Sequence, residues 1–403
     1  MNNTIKLAVA SALLAAASSA SAAGGIVAGD WTLDIGGVVN AYYTSTKTDG
    51  GKASTSNETG LLPNVLAVSG KTRQNDLDVA FTISIQPGSA TNHGLANYNT
   101  ATQENRQAFL TFGDASWGSI KAGKDLGIYA SGAILNDMTL LGVGAGAGAG
   151  QSTTTLGRIG GGYIYADWKS QFSYTTPNFN GFSATAGVTQ AWNATQSSSA
   201  AVAATSQSNA VAASGLTSAV TNQRGGGEPA FEAQVSYAFA GDVSGKVWAS
   251  GISQNVELNT ATGNDTASAW DIGANVNAAG FGLTGYYGEG KGLGTVIQFR
   301  DGYTAAGVQR KSDDWYTQAT YTLPGVGTKL GVSYGESTLD GAGADAFNST
   351  VREQTTFGAY HPLTKHLNLV AEYTELKAKT DSISGSDTSS KAKTMSLGAI
   401  LFF

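Results

Sequence analysis

The residues that could perform acid–base or nucleophilic chemistry are few in this sequence. There is no cysteine, which excludes a thiolate metal site, a disulfide framework and a cysteine nucleophile. The histidines are His93, His361 and His366, and none has a serine or an aspartate at a spacing that indicates a catalytic triad. Asp76 and Asp78 do not belong to a calcium-loop pattern. The sequence therefore predicts no catalytic site, no metal site and no cofactor.

Two glycine-rich segments have a superficial likeness to phosphate-binding loops. They are Gly157–Gly162 and Gly144–Gly150, and both lack the Gly-Lys-Ser/Thr ending and the strand-to-helix setting of such loops. A flexible or closely packed glycine loop is the simpler interpretation. The formal charge of −6 also argues against nucleic acid as a partner, because phosphate binding needs a basic face.

Six charged residues surround one long, apolar, glycine-rich segment that runs from about residue 126 to about residue 165. They are Arg106, Lys121, Lys169, Arg158, Asp125 and Asp137. The period of two in the flanking segments places the first three, all basic, on the polar faces of strands. Arg158 lies near the end of the glycine-rich segment, and both aspartates are assigned to the segment itself. These residues either form one electrostatic site or are ordinary solvated charges. The alternation along a strand shows which face a residue lies on but not how deep in the channel it lies.

The elements that must position these residues are strands, because apolar residues recur at every second position. Near the end of the chain Met395, Leu397 and Leu401 share one face with Phe403, and polar residues occupy the other face. The same alternation recurs along most of the sequence. A period of two with an apolar outer face is typical of strands in a transmembrane β-barrel.

About sixteen strands are predicted. They start near Trp31, Leu62, Asp76, Glu104, Gly118, Asp167, Gly181, Phe231, Val243, Ala267, Phe281, Asp314, Val326, Glu353, Leu367 and Lys393. Short turns and long loops alternate between them, which favours a 16-stranded antiparallel barrel over a soluble β-sandwich. Charged residues make up only 13% of the chain, well below the content of about 25% in soluble domains.

The first 22 residues are predicted to be a secretory signal peptide. Lys6 ends a short polar start, an apolar run follows, and Ala20-Ser21-Ala22 matches the small-residue cleavage pattern. A buried N-terminal helix is the alternative. Residues 23–403 would then form the barrel, and no apolar run in them reaches the roughly 18 residues of a membrane helix.

Two of the predicted loops differ from the others in composition. The segment of about 126–165 is too apolar to project into water, so the prediction is that it folds into the barrel. The segment of about 194–227 is rich in Ala, Ser, Thr, Gln and Asn, which predicts an outer loop, with an inter-domain linker as the alternative.

The order of these features resembles the trimeric Gram-negative general porins. The resemblance rests on the opening strand from Leu33 to Tyr42, on Arg106–Leu110 followed by Gly118–Lys124, on the long third loop and on the terminal Phe403. It covers nearly all of the chain after the signal. The sequence departs from many family members by carrying Lys124 where they have arginine and by lacking a Pro-Glu-Phe-Gly-Gly signature in the third loop.

The resemblance implies an outer-membrane channel for small polar solutes and ions, in which a basic wall faces an acidic loop at a constriction. The basic residues around the constriction outweigh the net charge of the chain over a Debye length of about 8–10 Å and predict a weak anion preference. The resemblance also implies a homotrimer, contact with outer-membrane lipid and lipopolysaccharide, and an assembly signal at Phe403 that is read by the outer-membrane assembly machinery. A substrate-selective porin and a non-conducting structural or adhesin barrel are the alternatives. The adhesin would need a plug domain or a large outer module.

Overall fold

A computed structural model describes most of the chain, and its sheet contains sixteen long strands. The described residues are 25–89, 103–146, 154–191, 223–225, 228–258, 264–304 and 306–403, with the backbone alone at 223–225 and 257–258. The long strands are β1 (Trp31–Thr48), β2 (Val65–Gln74), β3 (Leu77–Pro87), β4 (Gln103–Asp114), β5 (Gly118–Leu126), β6 (Trp168–Thr175), β7 (Phe182–Thr189), β8 (Ala230–Phe239), β9 (Val243–Leu258), β10 (Asn264–Ala278), β11 (Phe281–Lys291), β12 (Lys311–Thr322), β13 (Lys329–Asp340), β14 (Phe347–Pro362), β15 (Leu367–Ser382) and β16 (Thr388–Phe402). Three short strands, Ile26–Ala28, Ser54–Glu58 and Gln223–Gly225, pair with the long ones.

The sheet closes on itself. Each long strand pairs antiparallel with the next, and β16 pairs with β1 from Ala392 opposite Thr48 to Phe402 opposite Val38. The prediction of a 16-stranded antiparallel barrel is therefore confirmed. β1 begins and β16 ends at the edge of the barrel that carries the short turns, since the β1–β2 connection of residues 49–64 lies at the other edge.

The first short turn lies a few residues beyond its predicted place. The sequence suggests a turn at Gly70-Lys71-Thr72, but these residues belong to β2, and the chain reverses between Gln74 and Leu77. Asn75 and Asp76 adopt positive φ angles of 48° and 62° there. A two-residue hairpin with both central residues left-handed matches the twist of the strands, and Asn and Asp tolerate that conformation.

The outer surface of the barrel is apolar and the inner surface is polar. On β3, Ile83 is 57% exposed, whereas Ser84 and Gln86 are buried inside. Aromatic pairs lie at two heights on the outer face, with Phe281 and Tyr321 at the short-turn end and further pairs near the long-loop end, such as Trp315 with Tyr334. An apolar belt with aromatic residues near its two edges is the arrangement that a lipid bilayer stabilises.

The third long connection, residues 127–167, lies inside the barrel over its described parts, residues 127–146 and 154–167. It contains the helix α1 (Ser131–Asn136) and a 3₁₀ helix (Met138–Leu141). Its backbone accepts a hydrogen bond from Tyr42 on β1 (2.7 Å) and another from Tyr316 on β12 (2.9 Å). Contacts with opposite sides of a closed sheet require the loop to cross the interior.

The connection of residues 292–310 also packs inside the barrel, which the sequence did not predict. Val296 is buried against the third loop, and its carbonyl accepts a hydrogen bond from the Tyr165 amide at 3.0 Å. At the base of this second loop, Arg310 forms an ion pair with Asp345 at 2.7 Å. The hydrogen bonds from Arg310 lower the pKa of the Asp345 carboxyl, so the pair stays charged and joins two neighbouring loops.

Two predicted segments lie mostly outside the described residues. The predicted signal peptide falls wholly outside them, and the low-complexity loop of about 194–227 is described only at Gln223–Gly225. Among the described residues no helix has the length and apolar character needed to cross a membrane.

Candidate functional site

A cavity of about 440 Å³ lies between the third loop and the barrel wall at β4 and β5. The wall contributes the charged residues Glu104 and Arg106. The loop contributes apolar side chains, among them Leu135 and Leu140. Charge on one side and hydrocarbon on the other make this cavity the candidate site for selecting solutes.

Arg106 reaches the cavity because β4 carries a bulge. Ser84 of β3 stands opposite Gln107, but Gln86 stands opposite Glu104, so β4 has one extra residue between these two pairs. Arg106 and Gln107 are consequently both buried, although they are neighbours in a strand. The Arg106 guanidinium pairs with Glu104 at 2.7 Å.

Simple alternation does not explain the inward position of Arg106. Counted from Leu110, which is 46% exposed, alternation would place Arg106 on the outer face of β4. The Phe109 ring lies 4.8 Å from the Lys121 ammonium, on the inner side. The inward position of Arg106 is due to the bulge and not to simple alternation.

Lys121 lies on the inner face but at another depth. Lys124 of β5 stands opposite Ala108, so Arg106 and Lys121 are five residues apart along the strand direction, a separation of about 17 Å. Lys121 forms an ion pair with Asp125, which also accepts a hydrogen bond from Gln107 at 3.1 Å. Asp125 is thus part of strand β5, whereas it was predicted to belong to the loop.

Lys169 is buried in an ion pair and does not face the cavity. Its ammonium lies 2.5 Å from Glu232 on β8 and 2.8 Å from the Gln298 amide oxygen in the second inward loop. Glu232 also accepts the backbone N–H groups of Ile128 and Tyr129, at 2.8 and 2.9 Å. This pair therefore connects both inward loops to the wall.

Arg158 and Asp137 are also turned away from the cavity. Arg158 is fully buried and donates to the carbonyl oxygens of Gly161 (3.1 Å) and Gln354 (3.0 Å). Asp137 caps the 3₁₀ helix by accepting from the Thr139 amide, and its other oxygen accepts from Tyr163 at 2.8 Å. The expected basic wall facing an acidic loop is not what the structure contains, because these two residues serve the internal packing of the loop.

Glu372 on β15 holds the far end of the third loop and was not singled out from the sequence. One carboxylate oxygen accepts the amides of Val143 and Gly144 at 2.7 and 2.8 Å, and the other accepts from Tyr360 at 2.6 Å. A Cβ on Gly142 would lie 2.2 Å from the same carboxylate. Glycine here lets the loop backbone approach the wall closely, which gives part of the Gly-rich segment a structural reason.

The electrostatics of the cavity combine both signs of charge. Lys124 lies on the outer face of β5, opposite Ala108 of β4 and Ser170 of β6, which are both exposed. The basic group of the cavity is therefore Arg106, which pairs with Glu104. Asp167, in the third loop just before β6, also lines the cavity. Burial raises the pKa of Asp167 to about 6, so the carboxyl is charged at neutral pH and loses its charge in mild acid. The described residues contain no cluster of three or more metal-ligating side chains.

A closed barrel with an apolar exterior, a polar interior and an inward loop defines a membrane channel. Residues 8–381 match the model of the Gram-negative porin family. The chain belongs to that family. It is therefore an outer-membrane β-barrel protein that forms a water-filled channel for passive diffusion of small polar solutes and ions.

Solved structures with the same fold are similar to this chain over nearly its whole length. The outer-membrane channel DcaP of Acinetobacter baumannii is 16% identical, with a TM-score of 0.65 over 94% of this chain and 100% of that one. The anion-selective porin of Comamonas acidovorans is 16% identical, with a TM-score of 0.62 over 93% and 100%. A trimer form of OmpT from Vibrio cholerae is 14% identical, with a TM-score of 0.53 over 93% and 99%. The comparison with curated proteins found no match to this sequence.

Proposed function

We propose that this porin has a weak anion preference and that Arg106 sets it at the cavity. The observation that carries the proposal is the bulge in β4, which turns the Arg106 guanidinium into the lining of the cavity. Glu104 and Asp167 oppose this basic group, which keeps the preference weak. Lys121 and Lys169, each paired with a carboxylate, contribute less to the field that a passing ion meets. The anion-selective porin of Comamonas acidovorans has this fold and the same ion preference, which supports the proposal.

Reversal-potential measurements in a salt gradient test this proposal. Removing the charge with Arg106→Gln is expected to shift selectivity toward cations. A unit charge contributes about 1 kcal/mol at 4 Å in water, which corresponds to about a fivefold change in the ratio of anion to cation permeability. Lys47→Gln, an equal loss of charge on the outer face of β1, serves as the control. An unchanged reversal potential in the Arg106→Gln variant would contradict the proposal.

The chain is further proposed to assemble as a homotrimer. The solved trimer form of OmpT supports the proposal, and so does the outer face of β1 to β4. That face exposes branched aliphatic side chains such as Ile35, Val39 and Leu66. Mass measurement in mild detergent is expected to give three copies, and a population of monomers alone would refute the trimer.

Phe403 is proposed to serve the assembly of the barrel. It extends β16 and exchanges two backbone hydrogen bonds with Gly37, at 2.9 and 3.1 Å, while its ring stays 42% exposed. An exposed terminal ring is accessible to the assembly machinery before the barrel closes. Deletion of Phe403 is expected to lower the amount of folded protein in the outer membrane, measured by heat-modifiable migration on gels. Phe179→Ala, which removes an exposed ring from a short turn, is the control.

The remaining partner is the membrane itself. Outer-membrane lipid is the proposed partner of the apolar belt. Lipopolysaccharide is proposed for the lysines on the outer face near the long loops, among them Lys379, Lys391 and Lys393. Native mass spectrometry would test the second partner, since the loss of these lysines should remove any bound lipopolysaccharide. A catalytic role is not proposed: His361 and His366 lie beside a short turn, and His93 lies outside the described residues.

A further inference from the structure

We propose that the cavity beside the third loop binds small uncharged molecules that combine an apolar body with hydroxyl groups, and that this porin favours their passage. The proposal rests on the channel function and names a solute class for the same cavity. It does not depend on the ion preference proposed above. It follows from two features of the lining: an accessible hydrocarbon surface, and charged groups that are already paired or buried.

The hydrocarbon surface of the cavity belongs to both inward loops. Leu135 and Leu140 of the third loop and Ile297 of the second inward loop line the cavity and are only partly buried, so a solute can contact them. All three pack against one buried cluster that includes Leu156 and Ile159. The core of the loops therefore holds this surface in place before a solute arrives. An apolar body is stabilised when it leaves water for such a surface, whereas a small polar ion gains nothing.

The charged groups around the cavity leave no counter-ion for a charged solute. Arg106 is 7% exposed, and its guanidinium already pairs with Glu104 at 2.7 Å. Asp167 is 9% exposed, and its Oδ2 is buried. The carboxylate expected on the loop side, Asp137, is directed into the loop. A solute with a net charge would therefore lose water in the cavity without gaining a partner of opposite charge.

Hydroxyl groups suit the polar surface that remains accessible. The Glu104 side chain is 43% exposed, and a carboxylate has more acceptor positions than the pair with Arg106 occupies. A hydroxyl can donate to it without bringing a positive charge, which Arg106 would repel. A volume of about 440 Å³ lies within the range of small-molecule sites, about 300–1,000 Å³. A ring or a branched chain that carries one or two hydroxyls matches both the volume and the lining.

The experiment compares four solutes of one skeleton at neutral pH in single-channel recordings. Phenylethanediol has the ring and no charge. Mandelate carries a carboxylate in place of its hydroxymethyl group, phenylethanolamine an ammonium in place of one hydroxyl, and propanediol a methyl group in place of the ring. Phenylethanediol is expected to halve the ion current at a concentration about tenfold below that of each other solute. Equal or stronger block by mandelate, phenylethanolamine or propanediol would overturn the proposal.

Variants separate binding at this site from a general disturbance of the pore. Leu135→Ser and Leu140→Ser are each expected to raise the half-blocking concentration of phenylethanediol about threefold and to leave that of propanediol unchanged. Leu363→Ser replaces an exposed leucine in a short turn and should alter neither, and heat-modifiable migration on gels shows that each variant has folded. The site assignment is wrong if Leu363→Ser weakens the block as much as Leu135→Ser does. A wild-type channel that conducts ions and prefers anions, but binds phenylethanediol no better than propanediol, would contradict this proposal alone.

Discussion

Lys169→Met is expected to be the most destabilising single substitution inside the barrel. The side chains of Lys169 and Glu232 are 2% and 0% exposed, so the substitution leaves a buried carboxylate without its counter-ion. Breaking a buried pair in this way typically costs about 3–5 kcal/mol. The same change removes the hydrogen bond to Gln298 and so loosens the second inward loop. Thermal unfolding in detergent is expected to occur at a lower temperature, and single-channel recordings should become noisier.

Two further variants decide whether the buried charge is the cause. In the double variant with Glu232→Gln, no charge is left unpaired, and Gln can still accept the amides of Ile128 and Tyr129. It should recover much of the lost stability. Lys391→Met is the matched control, because Lys391 pairs with Glu375 and the two side chains are 32% and 31% exposed. If Lys169→Met and Lys391→Met lower the unfolding temperature equally, burial of the Lys169 pair is not the source of its importance.

The strand order could be predicted from the sequence because a barrel wall has water on one side and lipid on the other. Each strand therefore repeats its pattern with a period of two, as in the row from Met395 to Leu401, and the short turns mark where each strand ends. Alternation predicts on which face of the barrel wall a side chain lies. This prediction fails, however, where a strand carries an extra residue. At Arg106 the bulge reverses the parity, and only the pairing with β3 reveals it.

The contacts of the two inward loops with the wall could not be predicted. The composition of a loop does not show which of the many inward polar residues of the wall its backbone amides will contact. Glu232 and Glu372 occupy inward positions where any solvated polar residue would fit the pattern equally well. Their importance arises from pairs of loop amides that reach them across the barrel. Asp137 was expected to face a basic wall, but a carboxylate beside a 3₁₀ helix start is stabilised by capping. Residues 292–310 carry no compositional signal comparable with the glycine-rich loop.

Glu372→Ala is expected to free the far end of the third loop and raise the single-channel conductance. The substitution removes the acceptor of the Val143 and Gly144 amides and of the Tyr360 hydroxyl. Hydrogen bonds to a charged group contribute about 1.5–3 kcal/mol each, and donors left buried without a partner are costly. The loop should therefore leave the wall at this point, where water can hydrogen-bond the freed amides.

Conductance in the Glu372→Ala variant should be larger and should fluctuate more, because the loop then samples several positions across the channel. Glu372→Gln keeps an acceptor for both loop amides and should stay close to the wild type. Glu375→Ala is the second control: it removes a carboxylate from the same strand, but one that pairs with Lys391 on the outer face. The anchoring role of Glu372 is wrong if Glu372→Ala and Glu375→Ala conduct alike. It is equally wrong if Glu372→Gln opens the channel as far as Glu372→Ala does, since the loop amides would then not depend on the acceptor that Gln retains.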